Sequence, residues 1–449
     1  MSEPLETPPP HAAAPSRPSA VSRQIGAAVL AGYRAFGRVA TPGLGLLFRR
    51  RAARGKEDGS RRGERFGHAS AARPSGRLVW LHAASVGEMN AADALINSLR
   101  GMDVNVLLTT GTVTSARIAA ARTRPGVTHQ FVPYDTPPNL DRFLAHWRPD
   151  LAVTMESEIW PATIAALDAR GIPLAIVSAT MSERTARGWA KARGFAWQVF
   201  SRLDLCLAQT QEDAERLSAL GAPRVAVAGN LKYDSGSLTA DPAALAELQG
   251  LICERPTWLA ASTHEGEETL VGEVHRTASH AVPGLLTLLV PRHPERGDGI
   301  ARELRAAGLS IAQRSRGETI APDTDVYLAD TIGEMGLFYR LAPVAFIGKS
   351  LVPEGGQNPL EAARLDTAIL TGPHVFNLED IYTPLLSAKG AEVVRDAQSL
   401  GAAVVAHLND EALREKRARR AAEVSEAGAG ALAATLRHLT ALLNARGRQ

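Results

Sequence analysis

A rhythm that starts at Gly76 constrains this chain more than any other feature: short apolar runs alternate with helical stretches, pause, and begin again. Leu78–Leu81, Val104–Thr109, Leu151–Met155, Leu174–Ser178 and Leu203–Leu207 read as strands, with helices at Ala91–Leu99, Val113–Ala121 and after each later strand. The fifth run is interrupted by Asp204 and carries Cys206 as a small core hydrophobe. After a pause from about Gly229 to Pro256, further strands read at Trp258–Ala261, Leu285–Val290, Val326–Leu328, Val344–Ile347 and Ala368–Leu370, and the Ala- and Arg-rich end reads as helix. Apolar strands separated by helices require a parallel sheet covered on both faces. The expectation is an α/β protein of two doubly wound Rossmann-like domains, 67–235 and 236–449, the second including the C-terminal helices. Ligands of such sheets sit outside the carboxyl ends of the strands, so the expected site is the cleft between the halves. No Walker A motif, no strand–GxGxxG–helix fingerprint and no internal repeat is present.

The 449 residues are enough for two or three domains. Two cysteines exclude a disulfide framework and a Cys-only zinc site. Charge is uneven: Met1–Ser75 carries 13 Arg/Lys against 5 Asp/Glu, a surplus of +8 that leaves −5 for the rest of a chain whose total is +3. A Pro-, Ala- and Ser-rich stretch, residues 1–20, reads as a disordered tail. Residues 21–66 read as a basic amphipathic arm. Ile25, Val29, Tyr33 and Phe36 share one side of a helical projection and Arg23, Arg34 and Arg38 the other, with Leu30 a misfit among the arginines. The uncharged runs between Arg23 and Arg34 and between Arg38 and Arg49 are too short to span a bilayer. With Arg49, Arg50, Arg51, Arg54 and Lys56 following, the arm is expected to lie on an anionic membrane surface. Nucleic acid is not expected as a partner, because the body is mildly acidic and its aromatics do not interleave with a basic stripe.

Chemistry-bearing residues gather at strand ends. The first strand runs into His82-Ala-Ala-Ser-Val-Gly-Glu88, which places a carboxylate at a helix start. The strand from Leu151 ends in Glu156-Ser157-Glu158-Ile159-Trp160-Pro161; two more carboxylates thus reach the same rim, and one of the pair is expected to cap the following helix. Gly229-Asn230-Leu231-Lys232 follows a strand and closes the first half, and its Lys232 is either a phosphate ligand or a linker lysine. In the second half Pro291-Arg292 ends a strand, and an Arg fork there suits a phosphate. Ile332-Gly333-Glu334 opens a helix. In Gly355-Gly356-Gln357-Asn358-Pro359-Leu360-Glu361, Asn358 and Glu361 fit a ribose or form a capping box, and the two readings are compatible. The twelve histidines show no HxxxH or HExxH spacing, and Asp323 and Asp325 precede a strand; no metal site is indicated.

Taken together, HAASVGE, MESEIWP, GNLKYD, PRHPER, DTIGEMG and GGQNPLEAA, in this order and spacing, closely resemble the 3-deoxy-D-manno-octulosonic acid (Kdo) transferases of lipopolysaccharide synthesis; Gly55–Asp58 and Gly63–Gly67 are similar to that family's segment ahead of the first strand. The resemblance covers about Arg50 to Thr440. It implies a GT-B glycosyltransferase at the cytoplasmic side of the inner membrane, in which the first half binds a lipid A precursor (lipid IVA) and the second CMP-Kdo. It also implies inversion at the anomeric carbon, no metal and no cofactor beyond the co-substrate CMP-Kdo. Carried over, Glu88 matches the general base, and Glu156 and Lys232 match residues that stabilise the transition state. Pro291 and Arg292, Ile332, Gly333 and Glu334, and Asn358, Pro359, Leu360 and Glu361 match the segments that bind CMP. Two positions depart from the family pattern: Lys349 stands in Gly348-Lys349-Ser350 where Gly-Gly-Ser is frequent, and either contacts the donor carboxylate or points to solvent, and Gln357 stands where His is common, so no role rests on its side chain. The family's hydrophobic amino-terminal anchor is here interrupted by Arg34 and Arg38, which favours peripheral attachment. The alternative is a GT-B transferase or epimerase acting on another nucleotide sugar; a non-catalytic scaffold would not need acids along its rim.

Overall fold

The computed structural model describes residues 17–121 and 124–446. It forms two compact units, one of residues 1–235 with 428–449 and the other of residues 236–427. Of the tail expected over residues 1–20, residues 1–16 lie outside the described residues, and helix begins at Ala20.

The first unit holds seven strands: β1 (Leu78–His82), β2 (Asn105–Thr110), β3 (Val127–Phe131), β4 (Leu151–Met155), β5 (Leu174–Ala179), β6 (Leu205–Ala208) and β7 (Val225–Val227). They pair in the order β3-β2-β1-β4-β5-β6-β7, parallel throughout. The winding reverses between β1 and β4, and the loops leaving those two strands flank the crevice that such a reversal opens. One core face gathers Trp80, Phe143, Trp147 and Phe200; the other gathers Leu81, Leu95, Ile96 and Val153. Asp204, which interrupts the fifth apolar run, lies just outside β6 and accepts from the Leu174 amide at 2.9 Å, so its carboxylate closes the β5 start instead of entering the core.

The C-terminal helix Ala431–Arg446 belongs to this unit and not to the second half, where the sequence placed it. Its Ala431, Leu439 and Leu443 join the core face of Leu81 and Leu95, and Asp234 accepts from the Gly430 and Leu432 amides at 2.8 Å. Without that helix the apolar residues of the face would meet water, and burial of this kind is worth ~25 cal/mol per Å².

The arm is one helix, Ala20–Ala52, seated on the body. A Cβ on Gly26 would stand 2.1 Å from the Gly194 carbonyl carbon, so two glycines let this helix meet the helix Arg193–Phe200 backbone to backbone. Leu30, the misfit of the projection, is buried together with Gly26, Gly37 and Phe48, so the face among the arginines is the packed one. The expected apolar stripe is left outside: Ile25 is 60% and Phe36 72% exposed. Tyr33 reaches back to donate to Asp135 at 2.9 Å. Beyond the helix, buried Glu57 accepts from both Arg51 and Arg65 at 2.9 Å, and Glu64 accepts from the β3 amide of Phe131 at 2.6 Å, which ties residues 57–65 to the sheet edge.

The second unit repeats the plan with β8 (Thr257–Thr263), β9 (Leu286–Pro291), β10 (Ile311–Gln313), β11 (Val326–Leu328), β12 (Val344–Ile347), β13 (Ala368–Thr371) and β14 (Ala391–Val393). They pair as β10-β11-β9-β8-β12-β13-β14, all parallel, with the reversal between β8 and β12. Trp258, Leu289, Val344, Phe346 and Leu370 form the core beneath the helices, and the Trp258 indole donates to Thr287 at 2.8 Å.

Candidate active site

Glu88 stands in the first turn of the helix that follows β1, at the point where the first sheet reverses. Ser85 caps that helix by accepting from the Glu88 amide at 3.2 Å, and the Glu88 carboxylate turns back to accept from the Ala84 amide at 2.8 Å. The side chain is thereby fixed over the strand end, with the residue only 8% exposed. Burial first, and then the negative charge of Glu156, push its carboxyl up to about 7, against the hydrogen bonds from Ser85 and Ala84. A carboxyl balanced near neutrality exchanges a proton at physiological pH, which is what general base work requires.

Glu156 leaves β4, the neighbouring strand across the reversal. Its φ of +55° lies in the left-handed region, where a side chain costs ~1 kcal/mol, and its amide is held by the Val177 carbonyl at 3.0 Å. Its carboxylate meets the Lys232 ammonium at 2.5 Å. Lys232 sits in a single 3₁₀ turn, Leu231–Asp234, which is capped by the Asn230 side chain and pinned where Ser178 accepts from the Leu231 amide at 2.9 Å. Glu88, Glu156 and Lys232, singled out separately along the chain, thus come to the carboxyl-end rim of one sheet, with Glu156 in contact with Lys232 and close enough to act on the Glu88 proton.

Glu158, the second acid of the β4 loop, caps nothing. It accepts from the Trp160 indole at 2.6 Å and lies 3.9 Å from His82 Nε2; burial raises its carboxyl above the usual range. The cap expected from Glu156 or Glu158 comes instead from Asp135, 26 positions before the helix Pro161–Asp168, which accepts from the Ala162 and Thr163 amides at 3.2 and 2.7 Å. Asp135 carries no local signal for this role, because the contact joins distant segments. His82 is buried with Nδ1 3.0 Å from the Thr109 carbonyl, and burial pushes the imidazole down to about 4, so it is neutral.

In the second unit Pro291 closes β9 and the Arg292 amide donates to Thr263 at 2.9 Å, which sets Arg292 at the end of β8. Ile332 and Gly333 precede the helix and do not open it; the helix is Met335–Leu341, with Glu334 at its cap position. Ile332 is 75% exposed and Gly333 takes φ +91°. The Glu334 carboxylate is held by the Arg314 guanidinium at 2.7 Å, and this partner, twenty residues upstream, keeps its carboxyl below the usual range. Asn358 accepts from the Leu360 amide at 3.1 Å ahead of the short helix Leu360–Ala363, where Pro359 is the cap residue and Glu361 lies in the first turn. The ring of His264, at the end of β8, was not singled out by its sequence context; its Nε2 lies 3.3 Å from Gln357 Nε2.

Residues 60–235 match the model of the family described as 3-deoxy-D-manno-octulosonic-acid transferase (kdotransferase). The chain is 38% identical over 396 residues to a 3-deoxy-D-manno-octulosonic acid transferase of Bordetella pertussis, covering 83% of this chain and 89% of that one. To the Haemophilus influenzae enzyme of the same name it is 36% identical over 376 residues, covering 82% and 87%. Among solved structures, a glycosyltransferase from Rickettsia africae matches with a TM-score of 0.55 at 10% identity over 83% of this chain and 99% of that one, a likeness of fold. Identity of this extent, spread over both units, settles the matter: the chain is a GT-B glycosyltransferase and belongs to the 3-deoxy-D-manno-octulosonic acid transferase family.

Proposed function

We propose that the enzyme transfers Kdo from CMP-Kdo to a lipid A precursor, lipid IVA, with inversion at the anomeric carbon and no step routed through a metal. The observation that carries this reading is Glu88: a buried carboxyl at a sheet's reversal point, held by the Ala84 amide and poised near pH 7. Glu88 takes the proton of an acceptor sugar hydroxyl while that oxygen forms its bond to the Kdo anomeric carbon. The bond from that carbon to the phosphate oxygen breaks, and CMP leaves with the electron pair. Because attack and departure are on opposite faces, the configuration inverts. The transition state has oxocarbenium character beside the sugar's own carboxylate, and Glu156, oriented by Lys232, supplies negative charge at that centre. Arg292, with Pro291 fixing its backbone, suits the phosphate, and Asn358 to Glu361 suit the ribose. Ile332 to Glu334 complete the nucleotide-binding segments, with Arg314 fixing the Glu334 carboxylate.

The same reading places the protein at the cytoplasmic face of the inner membrane, against anionic lipid. Among the described residues no helix is long and apolar enough to cross a membrane. The outer face of helix Ala20–Ala52 presents Ile25, Val29 and Phe36, and its last turn presents Arg49, Arg50 and Arg51. Apolar groups inserted at the headgroup level, with about 1 kcal/mol per basic residue, make a peripheral attachment.

The test is a transfer assay: purified protein, a tetra-acylated lipid A precursor and CMP-Kdo with EDTA present, products read by mass spectrometry. Product heavier by one or more Kdo units is expected. A folded protein that still binds CMP yet makes no such product refutes the donor–acceptor pair, and activity with another nucleotide sugar would then identify the alternative.

A further inference from the structure

Three adjacent strands of the second sheet, β9, β8 and β12, end side by side and deliver Arg292, His264 and Lys349 to one rim, with β8 and β12 flanking the reversal. Lys349 is the member that departs from the family pattern. Its φ is +62°, a conformation that suits glycine and costs any residue with a Cβ. The loop cannot relax out of it. The buried Glu267 carboxylate accepts from the amides of Lys349, Ser350 and Leu351 at 2.7, 3.0 and 3.0 Å, and from that of His264 at 2.9 Å. One carboxylate therefore clamps both loops of the reversal. A Cβ on Gly348 would stand 2.6 Å from the Ser262 carbonyl oxygen, so the loops touch backbone to backbone.

Among the described residues the Lys349 side chain makes no hydrogen bond or ion pair that would repay the strain. Among the described residues no carboxylate lies within ion-pair distance of the Lys349 ammonium or of the Arg292 guanidinium, and both side chains are half-buried. His264 between them is neutral: its Nδ1–H faces Glu354 at 3.1 Å and Nε2 accepts from Gln357. Burial holds it down to about 4, and the nearby Lys349 and Arg292 add to that effect against the pull of Glu354. The rim thus keeps two fixed cations open, and two anions would match them. The proposed donor carries two: a phosphodiester and, beside the reacting carbon, the carboxylate of the sugar acid. The planar Arg292 fork fits the phosphate, and the compact Lys349 ammonium fits the other.

We infer that Lys349 is a donor-binding residue whose ammonium takes the sugar's carboxylate while Arg292 takes the phosphate, so that Lys349 selects a sugar acid over a neutral sugar. This rests on CMP-Kdo being the donor. The test uses the full-length enzyme and the variants Lys349→Gly and Lys349→Arg. Glycine is the residue the φ of +62° prefers, so Lys349→Gly folds at least as stably as wild type, and thermal unfolding checks this. CMP carries the phosphate without the carboxylate, so its inhibition constant separates the two anions. For Lys349→Gly the KM for CMP-Kdo rises between about ten- and a hundredfold, kcat changes less, CMP inhibits as in wild type, and Lys349→Arg recovers most of the loss. An unchanged KM overturns the inference, and so does a parallel weakening of CMP, which would put Lys349 on the phosphate. A folded wild type that transfers no Kdo overturns the donor reading itself, and this one with it.

Discussion

Glu88→Gln should make this protein more stable and nearly inactive at once. Folded Glu88 keeps its proton up to about pH 7, whereas the unfolded carboxyl loses it near 4.5. Between those values the native state binds the extra proton, so native stability falls as pH rises through that window. The full difference is ~3 kcal/mol at pH 8, since each pH unit of separation is about 1.4 kcal/mol, and it shrinks to under about 1 kcal/mol at pH 5. Glutamine is a neutral isostere whose oxygen still accepts from the Ala84 amide, so it keeps the geometry and removes the penalty. Urea unfolding at pH 5 and pH 8 should show the variant ahead of wild type by a margin that widens with pH. Turnover should drop by a factor on the order of 10²–10⁴, the loss expected when a positioned general base is removed. In wild type, kcat/KM should fall about tenfold per pH unit below about 7 as the base is protonated. A variant with near-normal turnover, or with no stability advantage at pH 8, would refute the assignment of Glu88 as a buried base.

Four further outcomes follow, two from contacts around that site and two from the N-terminal helix. Glu156→Gln removes the charge that, after burial, contributes most to raising Glu88, so the acid limb of the residual kcat/KM profile should move to lower pH; a limb still near 7 would mean that burial alone sets it. Asp135→Ala leaves the Ala162 and Thr163 amides and the Tyr33 hydroxyl without their acceptor, and should cost about 2 kcal/mol in urea unfolding while lowering kcat through the Glu156–Trp160 loop ahead of that helix. Gly194→Leu places a Cβ 1.8 Å from the Ser22 carbonyl oxygen and should lift the N-terminal helix off the body, read as new protease cleavage between Ala20 and Ala52. Phe36→Glu, at a residue that touches water and not the core, should leave unfolding unchanged and reduce co-sedimentation with vesicles containing anionic lipid several-fold.

The interior of each sheet was legible in the sequence because a strand buried on both faces must be apolar along its whole length. The strands that escaped notice are β3, β10 and β14, three of the four edges of the two sheets, and the fourth, β7, was legible only as an unbounded strand ahead of Gly229. An edge strand is half-solvated or very short: Val127–Phe131 carries Thr128, His129 and Gln130, and Val225–Val227 and Ala391–Val393 are three residues each. Their identity is set by a neighbour to pair with, which no local pattern records. The arm shows the same division. Its projection placed the apolar stripe correctly, yet the stripe stays exposed, and the packed face is made by Gly26, Gly37 and Leu30, residues that gain their meaning only from Gly194 and the rest of the body.

The site follows that logic one level up. Residues between a strand's end and the first turn of the next helix, such as Glu88 and Glu156, could be picked out because a doubly wound sheet aims its loops at one rim. What could not be read was which distant group each of them meets. Lys232 comes to Glu156 from 76 positions away, Arg314 takes Glu334, Asp135 caps the helix given in expectation to Glu156 or Glu158, and Glu267 clamps Lys349. These partners decide the electrostatics. Glu156 and Lys232 form an ion pair, whereas Glu88, a few residues past β1 and without an ion-pair partner among the described residues, is driven toward neutrality by burial and by that pair's carboxylate. In the proposed mechanism two glutamates that read alike in the sequence thus take opposite roles, Glu156 as the partner of Lys232 and Glu88 as the proton acceptor. The division arises from the lysine's being placed nearer to one than to the other.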